Sequence, residues 1–215
     1  CYVGCSFCGF SRHKGDPDAY DHPMERLIEK ARDAVKRGAT ELCIQGGIHP
    51  NKDHTHYHEI LVALKREFPQ LHIHAFSPEE IDFGHRKSGM ELTDYLRWLV
   101  EAGLGSLPGT AAEILDDEVR QEICPDKLDT AGWLTVMRTA HGLGLRSTAT
   151  IMFGHVEAPV HWARHLLRIR ELQQETGGFT GPGGPLEVVG QYGGKGLLIL
   201  LLVGAALGAL GAGIA

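Results

Sequence analysis

MERLIEKARDAVKRGATELCIQGG, residues 24–47, holds one full turn of the pattern that sets the fold. Met24, Leu27, Ile28, Ala31, Ala34 and Val35 recur at helical spacing and share one face with charged residues opposite, so the segment predicts an amphipathic helix that Gly38 is placed to end. Residues 41–46 then supply a strand, with Leu42, Cys43 and Ile44 as its apolar run and Gly46-Gly47 as its close. A helix feeding a short apolar strand is the unit from which parallel sheets are built.

Outward from there the unit repeats. Residues 56–68 read as a helix stopped near Pro69, and residues 71–76 as a strand, after which Ser77 and Pro78 open another helical stretch. Residues 92–102 form an amphipathic helix ending at Gly103, residues 104–107 a short strand, and residues 130–143 a helix ended by Gly144. Residues 145–153 are the most strand-like run, and residues 159–174 close the series as a helix with Trp162, Leu166, Ile169 and Leu172 on one side. The expected fold is α/β, a partial (β/α) TIM-type barrel truncated at both ends, with a first strand lost before Cys1. In such barrels the chemistry sits at the carboxyl ends of the strands.

Composition narrows the partners. A chain of 215 residues suffices for one catalytic domain or most of a larger barrel. Its net charge of −6, with no basic stripe, speaks against a nucleic-acid partner and for a small-molecule substrate. Three of the five cysteines crowd into the first eight residues, unlike a secreted disulfide framework, so a reducing, cytoplasmic setting is expected. The chain starts at Cys1 with no signal peptide ahead of it and reads as a fragment. After Thr180 the composition breaks: residues 1–180 form the core, residues 181–195 a Gly/Pro-rich junction, and residues 196–215 an uncharged apolar tail. That tail is long enough to span a bilayer, and Gly204 and Gly208 have the spacing of packed membrane helices; the alternative is a junction foreign to the fold.

Cys1-Tyr2-Val3-Gly4-Cys5-Ser6-Phe7-Cys8 carries the chemistry. Soft thiolates select iron–sulfur clusters or zinc. Three is the informative number, because a closed structural zinc site takes four ligands, whereas a cluster held by three cysteines leaves one iron open. Gly4 lets the loop fold tightly. The competing reading is a zinc knuckle completed by His13 or a distant cysteine.

The loop resembles the CxxxCxxC signature of radical S-adenosylmethionine (radical SAM) enzymes, including the aromatic residue before the last cysteine, here Phe7. The resemblance implies a 4Fe-4S cluster on Cys1, Cys5 and Cys8, with S-adenosylmethionine chelating the open iron and cleaved on reduction to methionine and a 5'-deoxyadenosyl radical. Gly46-Gly47 resembles the family's glycine motif, which receives the methionine end of that cofactor; a plain strand-to-helix turn accounts for two glycines as well.

Longer stretches, residues 43–50, 72–80, 108–115 and 154–156, look like the deazaflavin-forming branch, and the likeness runs from Cys1 to about Thr180. Within that branch the chain resembles the tyrosine-using subunit. The resemblance implies that the radical takes hydrogen from L-tyrosine, that the Cα–Cβ bond breaks, and that the 4-hydroxybenzyl group joins 5-amino-6-(D-ribitylamino)uracil. It further implies a one-electron donor of flavodoxin or ferredoxin type and a ring-closing partner subunit. Where such enzymes continue into another strand, this chain meets Gly181-Pro182-Gly183-Gly184, so weak turnover is expected of it.

Single residues follow. Glu113, after the third strand, is placed to bind a ribose hydroxyl or an ammonium group, or else to satisfy helix amides. Thr148, Thr150 and Met152 share one face of the expected last strand, and His155 lies just beyond it as a proton acceptor or a structural histidine. His74 is a further substrate-site candidate, near the end of its strand with His72 on the same face. His54, His56 and His58 have the wrong spacing for a helical metal site and read as solvated surface. Cys43 reads as a small buried residue and Cys124 as a loop residue. Two other readings stand beside the first. One is an aminofutalosine synthase-like radical SAM enzyme of menaquinone synthesis, against which Thr110-Ala111-Ala112 and His74 before Ala75-Phe76 weigh. The other is a non-enzymatic zinc-binding or membrane-anchored module.

Overall fold

The computed structural model describes residues 1–12 and 15–180. Strands β1 (Glu41–Ile44), β2 (His72–Ala75), β3 (Ser106–Leu107) and β4 (Arg146–Ser147) pair in chain order, all in parallel. Parallel neighbours need a crossover, and helices supply it. Helix α2 (Thr55–Glu67) joins β1 to β2, α3 (Pro78–Ser88) and α4 (Leu92–Glu101) join β2 to β3, and α5 (Asp117–Ile123) and α6 (Thr130–Gly142) join β3 to β4. Helix α1 (Met24–Lys36) precedes this series and α7 (Pro159–Thr176) ends it. The result is an arc of a (β/α) barrel, as the alternating pattern predicts. Beyond α7, Phe179 bridges Ser147 in parallel and the Thr180 amide donates to the Ser147 carbonyl at 2.8 Å.

Register decides which face of the arc is dry. Cys43 lies opposite His74, His74 opposite Ser106, and Ser106 opposite Arg146. With a side-chain period of two, Leu42, Ile44, Ile73, Ala75, Leu107 and Ser147 therefore turn to the other face. That second face meets Leu61 and Leu64 of α2, Leu96 and Leu99 of α4, and Trp133, Val136 and Met137 of α6 in one buried cluster. Each buried Leu or Met contributes about 1.5–3 kcal/mol relative to exposure. The amphipathic stripes of the helices are thus spent against one side of the sheet. The opposite side, lined by Glu41, Cys43, His72 and His74, keeps its polar residues.

Three expectations need correction. Cys43 is exposed, because the register turns it to the helix-free face. The run 145–153 pairs as a strand only at Arg146–Ser147. Beyond it the Thr148 amide still donates to the Leu107 carbonyl at 3.1 Å, but the next contacts run through side chains: Gly109 donates to Thr148 Oγ1 at 2.9 Å and Thr150 Oγ1 donates to the Gly109 carbonyl at 2.7 Å. His58 is not simply solvated, since it stacks on Trp98 with centroids 4.0 Å apart and planes 9° from parallel. Helix α5 was not anticipated, although Asp116 caps it by accepting from the Glu118 amide. Among the described residues no helix is long and apolar enough to cross a membrane. His13 and residues 181–195 and 196–215 lie outside the described residues.

One buried histidine makes this fold sensitive to acid. His165 of α7 is 2% exposed, and its Nδ1 accepts from the Leu115 amide at 2.9 Å. Burial, with Arg120 and Arg168 nearby, pushes it down from 6.5 to about 3, so the native ring is neutral. The unfolded chain takes up this proton at higher pH than the native one, so stability is lost as pH falls from 6.5 toward 3. His165→Gln keeps an acceptor and removes the titration. Its urea midpoint should fall less than the wild-type midpoint between neutral pH and about pH 4; equal falls would assign the acid sensitivity elsewhere.

Candidate active site

All four strands end on one side of the sheet, and the backbone there departs from ordinary conformations. Phe76 follows β2 with φ 55°, and Ala111 and Glu113 follow β3 with φ 60° and φ 46°. Non-glycine residues in the left-handed region cost about 1–3 kcal/mol each and persist where their surroundings hold them. Arg120 of α5 does that holding for the second pair: it is 2% exposed and donates to the carbonyls of Ala111, Ala112, Ile114 and Leu128.

The cysteine loop lies against these strand ends and is fastened at two points. At its start, the Tyr2 amide donates to the Ile48 carbonyl at 3.0 Å, and the Ile48 amide donates to Cys1 Sγ at 3.3 Å. Gly47 is packed so closely that a Cβ there would lie 2.7 Å from Cys1 Cβ. Further along, the Ser6 amide and hydroxyl both donate to the Ile123 carbonyl, at 3.0 and 3.2 Å, which ties the loop to the end of α5. The Cys8 amide donates to the Cys5 carbonyl at 3.2 Å, so the last two cysteines sit on one tight turn.

Cys1 and Cys8 are exposed and Cys5 is half-buried; all three are free thiols. Burial pushes the Cys5 thiol up to about 11, against the pull of Lys127. A metal that binds this thiol must displace its proton. Among the described residues the one side-chain trio with ligand atoms close enough for a single ion, within 4.8 Å, is Asp116, Glu118 and His161, which includes no cysteine and whose two carboxylates are already ion-paired to Arg164. The cysteine loop instead offers three soft ligands spread along eight residues, a donor set that fits a multi-iron cluster ligated on separate irons.

Around the loop stand two walls. The first is the glycine pair after β1, where the Gly46 amide donates to the Glu80 carboxylate at 2.9 Å. The second is the connection from α5 to α6. Lys127 sits 5.3 Å from the centroid of the Phe7 ring and donates to Glu113 Oε1 at 2.6 Å, with both charged side chains largely buried. Burial alone would lower the Lys127 pKa, but Glu113 outweighs it and the pKa is raised, so the ammonium is held charged beside the cysteines. Phe7, Glu113 and the cysteine loop are thereby joined through one cation.

The other candidates have their own partners. Thr148 and Thr150 both use their hydroxyls on Gly109 and so define the turn after β3. His74 Nδ1 meets Ser106 Oγ at 2.7 Å, sharing that hydroxyl with His72 Nε2 at 2.8 Å, and burial lowers its pKa so that the ring is neutral. His155 Nδ1 faces Glu157 Oε2 at 3.0 Å and its Nε2 meets the Met152 carbonyl at 3.3 Å. Glu157 is ionised down to about pH 2: burial would raise it, but the amides of Gly154 and His155 and the Trp162 indole donate to it. His74 and His155 therefore occupy the sheet face and the turn before α7. Lys127, Arg120 and Glu80 escaped sequence reasoning. An arginine within a charged helix and a lysine in a Pro-Asp-Lys turn look like surface, and only the fold reveals their burial.

Comparison with known proteins gives the same region a wider setting. Residues 1–169 match the Radical SAM superfamily. Over 180 residues the chain is 51% identical to an FO synthase of Mycobacterium leprae, covering 84% of this chain and 21% of that protein. Over 179 residues it is 49% identical to the 5-amino-6-(D-ribitylamino)uracil--L-tyrosine 4-hydroxyphenyl transferase of Trichormus variabilis, covering 81% of this chain and 46% of that protein. The chain thus spans about a fifth to just under half the length of these relatives. Among solved structures, the FeFe-hydrogenase maturase HydG superposes with a TM-score of 0.59 at 16% identity, covering 82% of this chain and 38% of that one, a likeness of fold.

The contact between Gly47 and Cys1 makes a sharp test. Gly47→Ala must push Cys1 aside, whereas Gly9→Ala meets nothing within 4 Å. After anaerobic reconstitution, Gly47→Ala should retain well under half the iron of the wild type and Gly9→Ala should match it; equal iron in both variants would show that the close packing is irrelevant to metal loading.

Proposed function

The chain belongs to the Radical SAM superfamily, and from that premise we propose that it is the cofactor-binding part of a transferase that joins the 4-hydroxybenzyl group of L-tyrosine to 5-amino-6-(D-ribitylamino)uracil. The observation that supports this reading is the closure of Cys1 on Gly47 and Ile48, which puts the first of the three thiols against the glycine turn at the carboxyl edge of a parallel sheet. The family implies an iron–sulfur cluster and S-adenosylmethionine in general. When bound here, they supply a 5'-deoxyadenosyl radical able to take a hydrogen atom from tyrosine.

The chain's own residues have separable tasks. Cys1, Cys5 and Cys8 ligate the cluster as thiolates. Gly46 and Gly47 present backbone groups to the methionine end of the cofactor, since the absence of Cβ atoms permits close approach. Phe7 and Lys127 cover one flank of the loop, and Glu113, paired with Lys127, is placed for an ammonium or hydroxyl group. Thr148 and Thr150 fix the turn at Gly109. His74, neutral on the polar sheet face, and His155, oriented by Glu157, are assigned to hydrogen bonding and proton handling at the substrates. Exposed Cys8 and Phe10 leave the loop open to a one-electron donor of flavodoxin or ferredoxin type. A ring-closing partner subunit would take the product onward to the deazaflavin, in a cytoplasmic setting.

The likeness to tyrosine-using transferases of about half identity favours this reading over an aminofutalosine synthase. The assay is a reconstituted, reduced chain given S-adenosylmethionine, tyrosine and the ribitylaminouracil under anaerobic conditions. A pyrimidine carrying the 4-hydroxybenzyl mass, dependent on tyrosine and absent in Cys8→Ala, is expected even at low turnover. Cofactor cleavage without that adduct, or turnover of the aminofutalosine synthase substrates instead, would overturn it.

A further inference from the structure

Two consecutive carboxylates open α3, Glu79 and Glu80, with 4% and 2% of their surface exposed. Neither has a part in the chemistry above. Burying a carboxylate is costly unless donors replace its water, and here the donors are three backbone amides and one hydroxyl. Glu80 Oε1 accepts from the Gly46 amide at 2.9 Å, while Oε2 accepts from the Ser77 amide at 2.8 Å and the Ser77 hydroxyl at 2.7 Å. Glu79 Oε2 accepts from the Leu128 amide at 2.8 Å.

A helix capping box explains only the Ser77–Glu80 half of this. Such glutamates ordinarily sit at the surface, and the reach of Glu80 across to Gly46 and of Glu79 across to Leu128 is additional. Neighbouring helical residues diverge by roughly a quarter turn, so two carboxylates in sequence can serve two directions. Each direction leads to one wall of the site. Gly46 precedes Gly47, which lies on Cys1; Leu128 follows Lys127, which lies over Phe7. The strained Phe76, φ 55°, stands immediately before Ser77 and sets where α3 begins.

We propose that Glu79 and Glu80 are positioning residues that brace the glycine pair and the Lys127 turn from one rigid helix start, and so fix the width of the cradle around the cysteine loop. The brace rests on the reading that this cradle receives S-adenosylmethionine, but its mechanical part is testable without any cofactor. Glu80→Gln cannot serve all three donors, because its amide presents an N–H where an oxygen accepted. Glu79→Met fills the space and accepts nothing, and Glu79→Gln restores an acceptor for Leu128.

Backbone amide hydrogen exchange on the cluster-free 215-residue chain separates the arms. Glu80→Gln should raise exchange about tenfold at Gly46–Ile48 and leave Lys127–Leu128 near wild type, as loss of one hydrogen bond to a buried carboxyl oxygen requires. Glu79→Met should do the reverse, and Glu79→Gln should return it most of the way. Ser77→Ala, which removes one donor and leaves the carboxylate, should reproduce the Glu80→Gln pattern more weakly and serves if Glu80→Gln does not fold. Exchange that rises at both walls in either variant, or at neither, overturns the brace. With the cluster rebuilt, Glu80→Gln should bind S-adenosylmethionine about tenfold more weakly at unchanged iron content, by the same hydrogen-bond loss; unchanged affinity despite the exchange split would refute the positioning role. If the variants show the split but the reconstituted wild-type chain binds no S-adenosylmethionine, the brace stands and the cofactor reading falls instead.

Discussion

Cys1 and Gly47 meet with no side chain between them, and much of the molecule is arranged so that they can. The meeting requires β1 to end level with the cysteine loop, which the parallel register with β2 sets. It requires the turn after β1 to be held, which the buried Glu80 does through the Gly46 amide. Glu80 in turn is placed by a helix start that depends on an unusual backbone at Phe76. The hydrophobic packing of α2, α4 and α6 on one sheet face supplies the rigidity against which these polar contacts are made. Apolar burial and the site are therefore coupled: the sheet face buried under helices fixes the height of the strand ends, and the strand ends fix the loop.

The electrostatics follow the same economy. A chain with a net charge of −6 places two buried cations near its cysteines, Lys127 and Arg120. Lys127 is neutralised by Glu113, and the charge of Arg120 is solvated by main-chain carbonyls of the strained segment. One holds a positive charge beside the cysteine loop; the other stabilises the backbone shape that carries Glu113. The histidines of the interior are kept neutral by burial, as at His141, which is pushed down to about 4 while bridging Ser147 and Thr176. Fixed dipoles and one paired ammonium, rather than a field of free charges, surround the region where a radical would have to be protected.

Much of the fold was legible because helix and strand periods differ. The apolar face of residues 24–35, the glycines that end α1, α4 and α6, and the Ser77-Pro78 start of α3 all speak locally, and each produced the expected element. What local pattern cannot carry is register and side. Cys43 sits in an apolar run, yet one residue of register turns it to the polar face. Residues 148–153 have every preference of a strand, but a ladder needs a neighbour able to pair, and Gly109 instead bonds to the hydroxyls of Thr148 and Thr150. The cysteine loop and glycine pair stand out in the sequence by residue type, and the structure brings Cys1 onto Gly47. Lys127, Glu79, Glu80 and Arg120 do not stand out, because their importance lies in burial, which a charged letter in a sequence conceals.

We propose that Cys1, Cys5 and Cys8 as thiolates hold an iron–sulfur cluster with one iron left for an exchangeable ligand. Metal and sulfide analysis of the anaerobically reconstituted chain, combined with electron paramagnetic resonance of the reduced protein with and without S-adenosylmethionine, tests it directly. The account predicts about four irons and four sulfides per chain and a spectrum that changes when S-adenosylmethionine is added. Stoichiometric zinc with no sulfide, or a cluster whose spectrum ignores S-adenosylmethionine, would contradict it.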